Sequence, residues 1–265
     1  MTVIPFGPCH GAINAFKLAS ETILKHKTVY YTENILHNRH VMNMLHEKGR
    51  LIQAAIEDVP EGAAYLISAH GAPPKTYQIA AERSVTVCDL TCPHIKNIQA
   101  RMRTEISDGG TLFIIGIKRH QEIVALAACN HPNPTYVIED AQNLMHVPTE
   151  VAQPVRIQLQ TTIPALHVEE LIAVIEEKYA IKARSPDRDL CAAIRQRLDY
   201  IEQLPKSQQI VHVLGSETSQ NTRTMMKAIS MVGKTPVLIN ELPPSDGREL
   251  HTIITATSHI DREEL

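Results

Sequence analysis

The sequence has no long hydrophobic run, no excess of one charge and few aromatic side chains. Its 265 residues carry 26 basic and 29 acidic groups, a formal net charge of −3, without any block of like charges. This balance argues against nucleic acid or an anionic membrane as the principal partner. No stretch reaches the ~18 apolar residues that a membrane-spanning helix needs, and the N-terminus has no secretory signal pattern. We therefore expect a cytoplasmic protein that binds neither nucleic acid nor membrane.

The short motifs of common cofactor sites are also missing. Neither a P-loop nor a G-x-G-x-x-G stretch is present, which excludes a standard nucleotide site. The cysteines number five, and an odd count without a secretory signal predicts reduced thiols rather than a disulfide framework. In that setting, cysteines are more plausible as metal ligands or catalytic groups than as covalent cross-links.

What is present fits a globular protein. Hydrophobic residues make up 43% and charged residues 21% of the chain, enough to bury a sizeable core. Histidine is abundant: 14 histidines outnumber the 7 tyrosines, 3 phenylalanines and 0 tryptophans together. The length alone suggests about two domains at roughly 150 residues each.

Short β-branched runs alternate with stretches of helical period along the whole chain. This alternation predicts βαβ units and mostly parallel sheets. The predicted strands are 3–6, 28–32, 64–68, 85–89, 111–116, 135–138, 156–159, 210–215, 236–239 and 252–255. The predicted helices are 11–26, 39–48, 74–83, 94–107, 120–129, 165–179, 191–203, 219–231 and 244–250. Turn-forming residues spread throughout favour several small sheets over one wide sheet, with domains at 1–95, 96–187 and 188–265.

Unusual polar runs follow the predicted strands, where open α/β sheets bind their ligands. Such a polar run occurs at eight strand ends or nearby loops. Any one of these polar residues could instead simply cap a helix. The runs are Gly7-Pro8-Cys9-His10-Gly11, Leu36-His37-Asn38-Arg39-His40, Ser68-Ala69-His70-Gly71, Asp89-Leu90-Thr91-Cys92-Pro93, Arg119-His120-Gln121-Glu122, Gln160-Thr161-Thr162, Gly215-Ser216-Glu217-Thr218-Ser219-Gln220-Asn221 and Thr255-Ala256-Thr257-Ser258-His259.

Three of the cysteines lie at predicted strand-to-helix junctions or helix starts. Cys9, Cys92 and Cys191 are placed where main-chain N–H groups stabilise thiolate. Their wide separation does not match a zinc knuckle, although a structural zinc site stays open as an alternative. Three thiolates from distant parts of the chain suit an iron–sulfur cluster with one iron left open to act as a Lewis acid. Cys88 and Cys129 are interpreted as core residues.

A second group of residues has side chains that could bind an anion. The imidazoles and hydroxyls in it can donate hydrogen bonds at helix N-termini, as a receptor for phosphate or diphosphate requires. The group consists of His37, His70, His120, Ser219, Asn221 and Ser258.

These motifs, in this order and spacing, resemble the IspH (LytB) family of 4-hydroxy-3-methylbut-2-enyl diphosphate reductases. The resemblance runs from Pro8 to about Asp261. It includes Leu36-His37-Asn38-Arg39, Ser68-Ala69-His70-Gly71, Asp89-x-Thr91-Cys92-Pro93, His120-x-Glu122, Gln160-Thr161-Thr162, Asp189-Leu190-Cys191 and Gly215-Ser216 through Ser219-x-Asn221.

The resemblance implies three small α/β domains in a pseudo-threefold arrangement around a central [4Fe–4S] cluster. Cys9, Cys92 and Cys191 would be the three cluster ligands. Glu122 would relay protons and Thr161 would orient the substrate, with His120 beside them as a further catalytic group. The diphosphate would be bound by His37, His70, His120, Ser219, Asn221 and Ser258.

The implied reaction removes the hydroxyl of an allylic alcohol with two electrons and two protons, giving isopentenyl and dimethylallyl diphosphates. An external donor such as ferredoxin or flavodoxin would supply the electrons. This is a step of non-mevalonate isoprenoid biosynthesis.

Several positions depart from the family pattern. Gln121 replaces a usual proline, Gln220 replaces a serine of the diphosphate run, and Ile194 replaces a hydroxyl residue three positions after the third cysteine. The segment around Ser258 is one residue shorter, and the chain ends at Leu265 where typical members continue. These departures leave two alternatives: a divergent paralogue that acts on another hydroxylated or phosphorylated compound, and a non-enzymatic cluster-bearing sensor.

Overall fold

A computed structural model describes residues 7–105, 109–129, 133–182, 189–239 and 253–255, and within them the strands form three separate parallel sheets. The first sheet contains β1 (Thr28–Tyr31), β2 (Arg50–Gln53), β3 (Ala64–Ile67) and β4 (Thr86–Asp89) in the order β2-β1-β3-β4. Its helices are α1 (His10–His26), α2 (Arg39–His46) and α3 (Pro74–Glu82).

The second sheet is built around a strand that is buried on both faces. It contains β5 (Thr111–Ile115), β6 (Thr135–Ile138) and β7 (Val155–Leu159) in the order β6-β5-β7. Every residue of β5 is buried, which explains its continuous apolar sequence. The helices of this part are α4 (Pro93–Glu105), α5 (Gln121–Cys129), α6 (Ala141–Leu144) and α7 (Glu169–Tyr179).

The third sheet lies nearest the C-terminus. It contains β8 (Ile210–Leu214), β9 (Thr235–Ile239) and β10 (Ile253–Thr255) in the order β10-β8-β9. Helices α8 (Ala192–Glu202) and α9 (Gln220–Met231) accompany it, and both contribute to its hydrophobic core.

The predicted fold class, α/β with mostly parallel sheets, is confirmed: all described strand pairs are parallel. Each sheet falls within one of the three predicted domain ranges, while the exact domain boundaries stay a prediction. The predicted strand 3–6 and helix 244–250 lie outside the described residues. None of the described helices combines the length and the apolar character that crossing a membrane requires.

Local predictions failed where the sequence pattern was weak. Strand β2 was not predicted, because only Leu51 of its four residues is buried and no apolar alternation marks it. The single helix predicted over 165–179 is instead a short 3-10 turn, Ala165–His167, followed by α7. The brief helix α6 was also missed, although Asp140 caps it by accepting from the Asn143 N–H.

Candidate active site

The carboxyl ends of strands from all three sheets open onto one cleft. The space between its walls is about 680 Å³, part of it open to solvent. It is lined by ten of the predicted site residues together with neighbouring groups. The predicted residues on its wall are Cys9, His37, His70, Cys92, His120, Glu122, Thr161, Cys191, Ser219 and Asn221. Ser258, the remaining predicted residue, lies outside the described part of the chain.

Each of the three cleft cysteines precedes a helix. Cys9 caps α1, and its sulfur accepts a hydrogen bond from the Ala12 N–H at 3.3 Å. Cys92 and Cys191 stand directly before α4 and α8. Burial raises the pKa of all three thiols, and main-chain N–H groups at the helix starts partly oppose this rise. The sites therefore suit sulfur that loses its proton when a metal group binds.

Main-chain hydrogen bonds hold the cysteine loops to other strand ends. The Cys92 N–H donates to the Ala69 carbonyl at 3.0 Å, and the Cys191 N–H donates to the Thr161 carbonyl at 2.8 Å. A ring nitrogen of His94 lies 2.9 Å from the Asp189 carbonyl, which connects the second and third cysteine loops. The thiols are thus positioned by the backbone of the cleft.

Space beside the thiols is kept free by a glycine. A Cβ added at Gly11 would lie 2.9 Å from the Cys92 sulfur and 3.7 Å from the Cys9 sulfur.

The three thiols are too far apart to share one small ion. Among the described residues, the only ligand trio within 4.8 Å of one another consists of histidines. Tetrahedral zinc, with Zn–S bonds of about 2.3 Å, would need sulfur atoms about 3.8 Å apart.

A buried guanidinium lies behind two of the thiols. Arg197 is 2% exposed and donates hydrogen bonds to the carbonyls of Gly7 at 2.6 Å, Thr255 at 2.7 Å and Ala193 at 2.8 Å. Its charge lowers the pKa of the Cys9 thiol, against the larger effect of burial. Sequence reasoning missed this residue, although a signal was present: Arg197 falls at helical spacing between the buried Ile194 and Ile201.

The three histidines form a compact group on the cleft wall. The ring centroids of His37 and His70 are 4.6 Å apart, those of His37 and His120 are 5.5 Å apart, and those of His70 and His120 are 5.1 Å apart. Burial lowers the pKa of each, and for His120 it falls to about 4. The buried Nε2 of His37 has no hydrogen-bond partner among the described residues. In this neutral, desolvated trio, His37 therefore has a ring nitrogen whose partner a ligand could supply.

Glu122 is a buried acid, only 1% exposed. One carboxyl oxygen accepts from the Thr161 N–H at 2.6 Å, and the other accepts from the Thr161 hydroxyl at 2.9 Å. Burial raises the pKa of Glu122 to about 7, although both Thr161 hydrogen bonds act to lower it. An acid with this pKa can hold a proton and release it at neutral pH.

The remaining predicted residues divide between the wall and the core. Ser219 is buried and occupies the N-cap position of α9, yet its side chain makes no capping hydrogen bond. Ile194 is fully buried in the core of the third sheet and does not line the cleft. Cys129 is buried, and Cys88 packs against the core of the first sheet, as their interpretation as core residues requires.

Three parallel sheets around a cleft with a buried acid, grouped imidazoles and helix-capping thiols define an α/β enzyme with its active site at the strand ends. Comparison with known proteins makes this specific. The model of the family described as LytB protein matches residues 1–256, and the chain belongs to this family.

Individual relatives agree with the family. The chain is 28% identical to a 4-hydroxy-3-methylbut-2-enyl diphosphate reductase of Haemophilus influenzae, an alignment that covers 91% of this chain and 77% of that protein. It is 26% identical to the enzyme of the same name from Chlamydia trachomatis, over 89% of this chain and 77% of that protein. The resemblance drawn from the sequence motifs is therefore confirmed at the level of the family.

Solved structures show the same fold. The E-1-hydroxy-2-methyl-but-2-enyl-4-diphosphate reductase of Plasmodium falciparum superimposes with a TM-score of 0.85 at 22% identity, covering 99% of this chain and 84% of that chain. A structure of (E)-4-hydroxy-3-methyl-but-2-enyl diphosphate reductase has a TM-score of 0.68 at 24% identity, covering 98% and 93%.

Proposed function

We propose that the chain is an iron–sulfur oxidoreductase that converts 4-hydroxy-3-methylbut-2-enyl diphosphate to isopentenyl and dimethylallyl diphosphates, the final reaction of the non-mevalonate pathway. The observation that carries the proposal is the meeting of three kinds of group in one cleft: three thiols, a buried acid and three imidazoles. Membership of the LytB family and the names of the relatives support it.

The cleft thiols fit a [4Fe–4S] cluster with three cysteine ligands, Cys9, Cys92 and Cys191. Each thiol stands at a helix start, where N–H groups stabilise negative sulfur, and Gly11 leaves space between two of them. Their spacing favours a polynuclear group over a single zinc ion. When bound, such a cluster supplies electrons one at a time and, at the iron without a cysteine, Lewis acidity.

The proton that accompanies loss of the hydroxyl comes from Glu122 in this proposal. The Thr161 hydroxyl donates to one carboxyl oxygen of the ionised acid. When that oxygen carries a proton the hydrogen bond reverses: the carboxyl O–H donates to the Thr161 oxygen, and the Thr161 hydroxyl is free to give its own proton to the substrate. The substrate hydroxyl leaves as water after gaining one proton, and the allylic fragment takes two electrons and a second proton. These additions balance the conversion of the alcohol to the two alkene products.

The diphosphate is held by the three histidines together with Ser219, Asn221 and Ser258. Bound there, it fixes the distance between the alcohol and Glu122, so that binding energy from the remote charge is used to orient the reacting end. His120 lies two residues before Glu122 at the start of α5, which couples the position of the anion to that of the acid. A cytoplasmic ferredoxin or flavodoxin would donate the electrons.

A divergent substrate preference is the second candidate, and one observation favours it. Gln220 lines the cleft beside Ser219 and Asn221, in the run where the family carries a further serine. A longer amide side chain there narrows the space around the anion and changes the hydrogen-bonding groups that face it. Such a paralogue would keep the cluster and the acid while accepting another phosphorylated alcohol.

Anaerobic reconstitution followed by a reductase assay tests the proposal. We expect about four irons per chain, no zinc, and turnover of 4-hydroxy-3-methylbut-2-enyl diphosphate with a chemical reductant. A cluster-loaded protein that binds another phosphorylated alcohol more tightly, and does not reduce this substrate, would support the divergent paralogue instead. Zinc without iron would contradict both candidates.

A further inference from the structure

Hydrogen bonds around His120 determine which of its ring nitrogens carries a proton. The Glu122 main-chain N–H donates to Nδ1 of His120 at 3.3 Å, so Nδ1 presents a lone pair. A neutral His120 therefore carries its proton on Nε2. This imidazole can donate a hydrogen bond to an anion without any change in its own charge.

His70 has the opposite arrangement because of Ser68 and Gln121. The Ser68 hydroxyl donates its single hydrogen to Oε1 of Gln121 at 2.5 Å. The Ser68 oxygen accepts the His70 main-chain N–H at 3.3 Å and lies 3.4 Å from Nδ1 of His70. Since the hydroxyl hydrogen is used by Gln121, an Nδ1–H must complete the contact with Ser68. A neutral His70 therefore has a lone pair on Nε2.

We propose that Gln121, acting through Ser68, couples diphosphate binding to the uptake of one proton by His70. The inference rests on the proposed function, in which the ligand is a diphosphate. A lone pair on Nε2 repels a phosphate oxygen, whereas the Nε2–H of an imidazolium donates a charge-assisted hydrogen bond. The proton comes from solvent, and the positive charge stays on His70 while the anion is bound.

The groups around His70 keep it neutral when no anion is present. Burial lowers its pKa well below the usual value, and the neighbouring rings of His37 and His120 lower it further. Arg223 of α9 acts in the same direction on those two neighbours. The acid of the cleft, Glu122, is engaged with Thr161. The charge of the arriving diphosphate therefore drives protonation of His70.

This coupling is particular to a chain with glutamine at position 121. Proline, the usual residue in the resembling family, has no side-chain acceptor for the Ser68 hydroxyl. The freed hydroxyl could then donate to Nδ1 of His70, which moves the ring proton to Nε2. Gln121 is also the first residue of α5, a position where proline is well tolerated. The variant Gln121→Pro should therefore fold and bind the anion without proton uptake.

Calorimetry can count the protons. The oxidised, cluster-loaded protein is titrated with 4-hydroxy-3-methylbut-2-enyl diphosphate without reductant, in buffers of different ionisation enthalpy. A pH of about 8 keeps the ligand ionised, because the second phosphate pKa is about 6. We expect uptake of about one proton per ligand by the wild type and close to none by Gln121→Pro. Gln121→Glu keeps an acceptor for Ser68 and should retain the uptake.

One control variant and the comparison of wild type with Gln121→Pro separate the possible outcomes. Glu122→Gln should keep the wild-type uptake, and its loss there would place the proton on Glu122 and overturn the inference. Binding without uptake in the wild type, or equal uptake by wild type and Gln121→Pro, would overturn the inference and leave the proposed reaction intact. Absence of binding by wild type and variant alike would overturn both the inference and the assignment of a diphosphate to this cleft.

Discussion

At the scale of single residues, the proposed chemistry depends on an acid that is still partly protonated at neutral pH. Glu122 reaches this state because burial disfavours its charged form more strongly than the two Thr161 hydrogen bonds favour it. The same two hydrogen bonds aim the carboxyl group at a hydroxyl on the cleft wall. Burial thus sets the strength of the acid, and in the proposed reaction Thr161 sets the direction in which its proton moves.

Replacing Glu122 with glutamine should lower kcat about 10²- to 10⁴-fold, because the general acid is lost while the shape is kept. In the wild type, kcat/KM should fall as the pH rises through about 7, since the acid works in its protonated form and its pKa is about 7. Steady-state rates across pH test this. The residual activity of Glu122→Gln should lack that fall, and Glu139→Gln, a change at an exposed carboxyl, should behave as wild type.

The residues that line the cleft could be predicted because they share a simple feature, a place at or just beyond a predicted strand end. His37, Cys92 and Thr161 were all found in this way. Gln121 and Arg197 could not be assigned a role from sequence, because theirs depends on contacts with Ser68, Gly7 and Thr255 that only the tertiary structure brings together.

At the scale of helices and strands, the N-terminal ends of three helices position the three cleft thiols. The strand-to-helix junctions could be predicted from the sequence, because at each one a β-branched run is followed by residues with helical periodicity. The distance between the Cys9 and Cys92 sulfur atoms could not be predicted from the sequence, because it depends on how closely α1 approaches the loop before α4. That approach is controlled at Gly11, where a side chain would meet the Cys92 sulfur at 2.9 Å.

Gly11→Ala should therefore weaken cluster retention without unfolding the protein. The added methyl group pushes the Cys92 sulfur away, while alanine is a better helix former than glycine and supports α1. Iron per chain after gel filtration, together with far-UV circular dichroism, checks this. His10→Ala changes an exposed residue of the same turn and should retain iron as the wild type does. Full iron content in Gly11→Ala would contradict this steric role.

At the scale of the whole molecule, Arg197 joins segments that are remote in sequence. It connects α8 with the N-terminal segment at Gly7 and with the end of β10 at Thr255. These are main-chain contacts, so they constrain the backbone beside Cys9 as well as the third sheet. The three-sheet organisation was predictable from alternating strands and helices, but this connection was not, because a buried arginine in an apolar helix face gives no indication of its partners.

Arg197→Met should lower the free energy of unfolding by about 3 kcal/mol. Methionine fills much of the space, yet it leaves buried carbonyls without their donors, at about 1–3 kcal/mol each. Urea unfolding of the cluster-free protein measures the change. Gln196→Met, at an exposed site on the same helix, should change stability by no more than about 0.5 kcal/mol. Equal midpoints for the two variants would show that the guanidinium adds no stability.

The origin of the three thiols in distant segments has a consequence for biosynthesis. Of the three, Cys9 is made first, Cys92 next, and Cys191 with the helix that follows it last. A nascent chain on the ribosome therefore has no complete set of the proposed sulfur ligands until Cys191 has been synthesised. In the proposed enzyme, where all three thiols hold the cluster, iron–sulfur delivery would act as quality control, because chains that lack the Cys191 segment or are half-folded could not bind the cluster and would stay redox-inert.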